Sequence, residues 1–66
     1  MKIRINGADY EVQQGMTVAA LLGHLKMFGD RVAIERNLGI LPRSEWNATI
    51  VQPDDSYEIV HLVGGG

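Results

Sequence analysis

A chain of 66 residues with a net charge of −2 and 45% apolar residues has room for one small domain and lacks the basic surface that a nucleic-acid partner requires. It contains no cysteine, which excludes a disulfide framework, a thiolate metal site and a cysteine nucleophile within this sequence. No apolar stretch has the length of a membrane span, and the first residues alternate apolar and polar instead of resembling a signal peptide, so we expect a cytoplasmic protein with no membrane partner.

The first element is predicted to be a β-hairpin. Residues 2–5 alternate apolar and polar side chains, as a half-buried strand does, and residues 10–12 alternate again. Asn6 and Gly7 lie between the two segments. This pair strongly favours a tight hairpin turn because both residues tolerate a positive φ.

A helix is expected at about residues 17–28. Thr17 is a suitable N-cap, since its hydroxyl can accept a hydrogen bond from a free backbone N–H. Apolar residues then recur at helical spacing and define one buried face: Val18, Leu21, Leu22 and Leu25.

The next segment is predicted to be a second hairpin. Residues 32–36 have the pattern of a strand, and residues 37–39 form a turn because Asn and Gly accept left-handed conformations. Residues 40–41 are a short fourth strand. Pro42 closes it, because proline cannot donate a ladder hydrogen bond.

The remaining chain is predicted to run through a helical turn at 44–46, an extended segment at 49–51 and a turn at 53–56. Residues 57–63 then form the last strand. We divide the chain into a folded domain of residues 1–63 and a flexible glycine tail of residues 64–66.

This order of elements predicts an α+β roll in which a mixed sheet packs against one main helix. The helix joins the second and third strands and must therefore cross one face of the sheet. We expect the last strand to be central and parallel to the first, which is the β-grasp arrangement of ubiquitin and one of a few topologies that fit. The predicted core consists of Ile3, Ile5, Leu21, Leu22, Leu25, Ile34 and Ile59.

The polar residues give no catalytic or metal-binding pattern, so we expect a protein that is not an enzyme. His24 is interpreted as a surface residue of the helix. His61 is interpreted as a sheet residue near a strand end, with a polar contact to a partner as the alternative. Asp54 and Asp55 are interpreted as a solvated pair in a turn.

The last strand presents two different faces. Glu58, Val60 and Leu62 share one face, and the charge of Glu58 predicts that this face is turned to solvent. Two apolar side chains exposed beside the tail indicate a docking patch, defined here as Glu58, Val60, Leu62 and Gly64. In the alternative, the strand twists near its end and Leu62 folds back onto the core.

The glycine tail carries the main functional hypothesis. Gly64, Gly65 and Gly66 have no side chains and extend at most about 10 Å, so they can thread a carboxylate into a narrow active site. An ionised α-carboxylate can attack the α-phosphorus of ATP, and sulfur or nitrogen can then attack the acyl-adenylate. The tail therefore favours a carrier, with a frayed terminus as the alternative.

Two segments resemble a known family. Residues 37–46, with their Pro-Arg-x-x-Trp sequence, and residues 58–66, with their glycine end, resemble the ThiS sulfur carriers of thiamine biosynthesis. The resemblance covers the whole chain, including Asn6 with Gly7 in the first turn and Thr17 at the start of the helix.

The resemblance implies a ubiquitin-like fold and a cycle in which the working residues are Gly65 and Gly66. A ThiF-like enzyme would adenylate Gly66 with ATP and magnesium. Sulfur from a cysteine desulfurase or another donor would convert Gly66 to a 1-thioglycine thiocarboxylate, and a ThiG-like thiazole synthase would receive it. The resemblance implies that the chain itself binds no cofactor, and the absence of cysteine fits sulfur carried on the carboxyl carbon.

Two alternatives remain open at this point. One is a MoaD-like carrier, related to the small subunit of molybdopterin synthase. The other is a ubiquitin-like binding or conjugation module with no sulfur role.

Overall fold

The computed structural model describes residues 1–27 and 31–62, and that part of the chain forms a sheet, one α-helix and a short 3₁₀ helix. In chain order the elements are β1 (Lys2–Ile5), β2 (Ala8–Glu11), α1 (Val18–His24), β3 (Val32–Arg36), β4 (Gly39–Ile40), a 3₁₀ helix (Arg43–Glu45) and β5 (Ser56–His61). No helix in these two ranges is long and apolar enough to cross a membrane.

The last strand is central in the sheet. The strand order is β2-β1-β5-β3-β4. β5 runs parallel to β1, with Tyr57 opposite Ile5, and antiparallel to β3, with Ile59 opposite Ile34. The predicted mixed α+β topology, with the last strand beside and parallel to the first, is therefore confirmed.

Asn6 determines both the first turn and part of the sheet. Asn6 and Gly7 have φ angles of 50° and 84°, as the predicted tight turn requires. The Asn6 side chain also donates to the Ile59 carbonyl at 3.0 Å and accepts from the Ile59 N–H at 2.8 Å. The turn residue thus continues the pairing of β1 with β5 beyond the end of β1.

The helix is shorter than predicted. It begins as expected, because the Thr17 hydroxyl accepts from the Ala20 N–H at 3.0 Å. It ends at His24 instead of near residue 28, since Lys26 adopts a left-handed φ of 58° that an α-helix cannot contain. Gly23 weakens this last turn further, by about 1 kcal/mol relative to alanine. Phe28, in the predicted final turn, lies outside the described residues.

The second hairpin has an unusual turn. Asn37 and Leu38 both have a positive φ, 51° and 74°, so a β-carbon lies at a position that normally takes glycine. β4 covers Gly39–Ile40, one residue earlier than the prediction of residues 40–41. Leu38, at the tip, is 95% exposed.

The Pro-Arg-x-x-Trp segment, residues 42–46, contains the 3₁₀ helix and lies against the first residues of α1. The Trp46 indole N–H donates to the Leu41 carbonyl at 3.0 Å, and Arg43 lies over the indole ring at 5.3 Å. The Trp46 carbonyl accepts from the N–H of Ala19 at 3.1 Å. One of the free N–H groups at the helix start is thereby satisfied, so the segment has a structural role.

The core lies between α1 and the inner face of the sheet. Its buried apolar residues are Ile3, Ile5, Val18, Leu21, Leu22, Val32, Ile34, Val51, Tyr57 and Ile59. All the predicted members except Leu25 are among them. Leu25, the C-cap residue directly after the helix, is only partly buried and packs against this cluster.

Candidate functional site

The candidate site lies on the outer side of β5, next to the C-terminal residues. Tyr57 and Ile59 are buried, whereas Glu58 is exposed and Val60 and Leu62 are 49% and 55% exposed. The predicted division of this strand into two faces is confirmed. The alternative in which Leu62 folds back onto the core is wrong. The Leu62 N–H donates to the Arg31 carbonyl at 2.6 Å, which keeps the chain extended beyond β5.

The residues predicted to carry the chemistry come next in the chain. Gly64, Gly65 and Gly66 lie, with Val63, outside the described residues. Their roles as docking and reactive residues therefore stay predictions. The described part shows that the strand leading to them is central, hydrogen-bonded on both sides and exposed on one face.

The exposed face of β5 continues across two neighbouring strands. Ala33 lies opposite Val60, and Glu35 lies opposite both Glu58 and Ile40. These five residues line a shallow groove of about 380 Å³, which we call the outer groove. Sequence reasoning missed Ala33, Glu35 and Ile40, although the alternation within β3 places Ala33 and Glu35 on the side away from the core.

Asp55 is not the solvated turn residue that the sequence predicted. It is 5% exposed, whereas its neighbour Asp54 is exposed. The prediction was wrong because two of its four donors, Arg36 and Asn37, come from a distant part of the chain. Its carboxylate accepts hydrogen bonds from Arg36 Nε at 3.0 Å, Asn37 Nδ2 at 3.0 Å, the Gln52 N–H at 2.9 Å and the Tyr57 hydroxyl at 2.8 Å.

These contacts fix the protonation state of the buried pair. Burial opposes the ionisation of Asp55, but the hydrogen bonds from Gln52, Asn37, Tyr57 and Arg36 outweigh it and hold the pKa of Asp55 below its ordinary value of 3.8. Burial raises the pKa of Tyr57 to about 12, and the hydrogen bond that Tyr57 donates to Asp55 acts in the same direction. The Asp55 carboxylate is buried and accepts four hydrogen bonds, so the cluster stabilises the fold that carries the site.

The two histidines have the positions that the sequence predicted. His24 is exposed at the end of α1, and His61 is exposed at the end of β5, opposite Val32. Within residues 1–27 and 31–62, no three His, Cys, Asp or Glu side chains lie close enough together to hold a metal ion. His61 lies one residue from Val60, at the border of the docking patch.

Comparison with known proteins assigns this arrangement to a family. The model of the ThiS family matches residues 3–66. The crystal structure of a thiamine biosynthesis protein (ThiS) from Geobacter metallireducens is 32% identical, covers 100% of both chains and superimposes with a TM-score of 0.85. The predicted β-grasp fold is confirmed by this likeness.

Two relatives carry a different name. A thiazole synthase of Paramagnetospirillum magneticum is 46% identical over 66 residues, and one of Magnetococcus marinus is 39% identical over 66 residues. Both matches cover 100% of this chain and 20% of the relative. The chain therefore spans about a fifth of the length of these two proteins.

Proposed function

The chain belongs to the ThiS family, the sulfur carriers of thiamine biosynthesis, and from this premise we propose that it carries sulfur as a thiocarboxylate on Gly66. The match of the family model through Gly66 is the observation that carries the proposal. A chain without cysteine supports it, since no side-chain thiol competes for the sulfur.

The first step of the proposed cycle activates the carboxylate. A Gly66 oxygen attacks the α-phosphorus of ATP in a ThiF-like enzyme, and pyrophosphate leaves with its charge neutralised by magnesium. The resulting acyl-adenylate has a good leaving group, AMP, which the free carboxylate lacks. ATP and magnesium belong to the partner enzyme. We expect the cycle in the cytoplasm, where ATP is available.

The second step introduces sulfur. The terminal sulfur of a persulfide on a cysteine desulfurase, or on another donor, attacks the carbonyl carbon and displaces AMP, which forms an acyl disulfide. A second thiol then attacks the donor-side sulfur. A disulfide forms on the donor, and the Gly66 thiocarboxylate leaves. The second thiol supplies the two electrons that reduce the acyl disulfide. No group of the carrier other than the Gly66 carboxyl group is changed.

The third step delivers the sulfur to a thiazole synthase. Two relatives named thiazole synthase contain a segment similar to this whole chain, which supports a partnership between the two functions. We propose that Gly65 and Gly66 enter each partner's active site in turn. The docking patch of Glu58, Val60, Leu62 and Gly64 then binds the partner surface outside that site, and the chain acts as a carrier without catalysing the reaction.

The test follows adenylation and sulfur transfer separately. The wild type, a variant without Gly66 and a variant with one glycine added after Gly66 are each incubated with the ThiF-like enzyme and ATP, and pyrophosphate release is measured. We expect release from the wild type alone, because a displacement of about 1 Å can lower a rate on the order of a hundredfold. Normal turnover by the chain that lacks Gly66 would contradict the proposal.

The mass of the protein isolated from cells tests the sulfur step. One oxygen replaced by sulfur on Gly66 is the expected result, and addition of the thiazole synthase with its other substrates should return the mass to that of the carboxylate. An isopeptide adduct would point to a ubiquitin-like tag, and an unmodified terminus to a plain binding module. Transfer to molybdopterin synthesis instead of thiazole formation would identify a MoaD-like carrier.

A further inference from the structure

Two carboxylates face each other in the outer groove. Glu35 on β3 is directly opposite Glu58 on β5, and both side chains are exposed on the side of the sheet away from the core. Like charges at directly opposed positions destabilise a pair of strands. Within residues 1–27 and 31–62, neither carboxylate has a cation within 4.0 Å.

The other half of the same sheet face is arranged in the opposite way. Lys2 lies opposite Glu11, and Arg4 lies opposite Asp9 with 3.7 Å between Arg4 Nε and Asp9 Oδ1. Each acidic residue on β2 therefore faces a basic residue on β1. The β1–β2 half pairs acidic with basic residues, whereas the β3–β5 half presents two negative charges that have no cationic partner among the described residues.

The surroundings of the two carboxylates suit a long basic side chain. Ile40 is 81% exposed and Val60 is 49% exposed, and both line the groove with Ala33. An arginine or lysine buries its aliphatic stem against such apolar surface while its charged head reaches the polar end. Two carboxylates with no third ligand among the described residues do not form a metal site.

We propose that the outer groove receives an arginine or lysine side chain of the adenylating enzyme, with the cationic head between Glu35 and Glu58 and the stem against Ile40 and Val60. This inference rests on the function proposed above. β5 connects the groove to the tail, because the strand that carries Glu58 and Val60 leads directly to the residues that must enter the partner's active site. The groove therefore determines which protein surface lies next to the reactive end.

The test compares two double variants that remove the same charge. Glu35→Gln with Glu58→Gln neutralises the groove. Asp9→Asn with Glu11→Gln neutralises two carboxylates on the same sheet face, at its opposite edge. The affinity of each variant for the ThiF-like enzyme is measured by isothermal titration calorimetry at low and high salt, together with its thermal unfolding.

We expect the groove variant to bind at least about tenfold more weakly and with a smaller dependence on salt, because it loses a charge pair at the interface. The edge variant should bind within about twofold of the wild type, since it removes the same charge but breaks only two ion pairs outside the groove, Asp9 with Arg4 and Glu11 with the N-terminal amine. The groove variant should unfold at or above the wild-type temperature, because a repulsion is removed. Weaker binding therefore cannot result from unfolding.

Other outcomes overturn the inference in distinguishable ways. Equal affinity of the groove variant and the wild type, with normal adenylation of both, removes the groove from this interface and leaves the proposed function intact. An equal loss of affinity in the edge variant would show that net charge, and not the groove, determines binding, and would overturn the inference in the same way. Failure of the wild type itself to be adenylated overturns the proposed function and this inference together.

Discussion

The Tyr57 hydroxyl donates to the Asp55 carboxylate, two residues earlier in the chain, at 2.8 Å, and both side chains are buried. Arg36 and Asn37 donate to the same carboxylate from the end of β3 and the turn that follows. These hydrogen bonds to Asp55 therefore join the start of β5 to the end of β3. They hold β5 at its first residues, and the opposite end of the strand leads into the glycine tail.

This cluster predicts a defined pH dependence of stability. The pKa of Asp55 is lower in the folded protein than its ordinary value of 3.8, so the folded state holds the proton less tightly than the unfolded chain does. The stabilisation from Asp55 is complete above pH 3.8 and is lost as the pH falls from there through the lowered pKa. Asp55→Asn should reduce the free energy of unfolding at neutral pH by about 1–3 kcal/mol.

Urea unfolding at several pH values, followed by Trp46 fluorescence, measures this effect. The difference between wild type and Asp55→Asn should narrow below pH 3.8. Asp54→Asn is the matched control, because Asp54 is exposed and asparagine tolerates its positive φ of 66°. A constant difference across the acidic range would show that the ionised carboxylate contributes nothing.

Much of the fold could be predicted because its signals are local. The alternation in β1 and β5, the Asn6 turn and the Thr17 cap each depend on a few adjacent residues, and all three were confirmed. The two faces of β5 followed from the same alternation. Strand periodicity alone therefore predicts that Val60 and Leu62 lie on the exposed side, without any information on the neighbouring strands.

The rest depends on contacts between distant residues. Asp55 stands in a sequence that is typical of a solvated turn, and its bond to Arg36 spans 19 residues. Glu35 faces Glu58 only because β3 and β5 pair in one particular register, which no local pattern reveals. The early end of the helix depends on the left-handed conformation of Lys26, a residue type that gives no sign of it.

The core predicts an order of stability for two leucines. Leu22 is 3% exposed, whereas Leu25 is half-buried at the edge of the core. Leu22→Ala should reduce the free energy of unfolding by about 2–5 kcal/mol, a large part of the roughly 3–10 kcal/mol expected for a domain of this size. Leu25→Ala should reduce the free energy of unfolding by less, because the partly buried side chain makes fewer contacts with the core. Thermal and urea unfolding measure both, and an equal or reversed order would show that the helix packs by a different face.

The Leu38 turn predicts a stabilising substitution. Leu38 has a φ of 74° and is 95% exposed, so its side chain contributes no packing while its β-carbon strains the backbone. Leu38→Gly should raise the free energy of unfolding by about 0.5–1 kcal/mol. Leu38→Ala is the control, because it removes the apolar side chain but keeps the β-carbon. If Leu38→Ala raised the free energy of unfolding as much as Leu38→Gly does, backbone strain would be excluded as the cause.

The docking patch predicts a loss of binding without a loss of folding. Val60 and Leu62 are 49% and 55% exposed, so Val60→Asp with Leu62→Ser should lower the free energy of unfolding by no more than about 1 kcal/mol, part of it from repulsion between the new carboxylate and the two carboxylates of the groove. The same double variant should weaken binding to the ThiF-like enzyme strongly, because a charge replaces apolar contact area beside the tail.

Tyr10 and Ile50 provide the matched control for this patch. Both are 42% exposed and both lie outside the outer groove, so Tyr10→Asp with Ile50→Ser introduces the same two residue types elsewhere on the surface. Calorimetric titration should find normal affinity for this control and weak affinity for the patch variant, with similar unfolding temperatures. Loss of stability in the patch variant, with full affinity in its folded fraction, would instead place Val60 and Leu62 in the core and the binding surface on another part of the sheet.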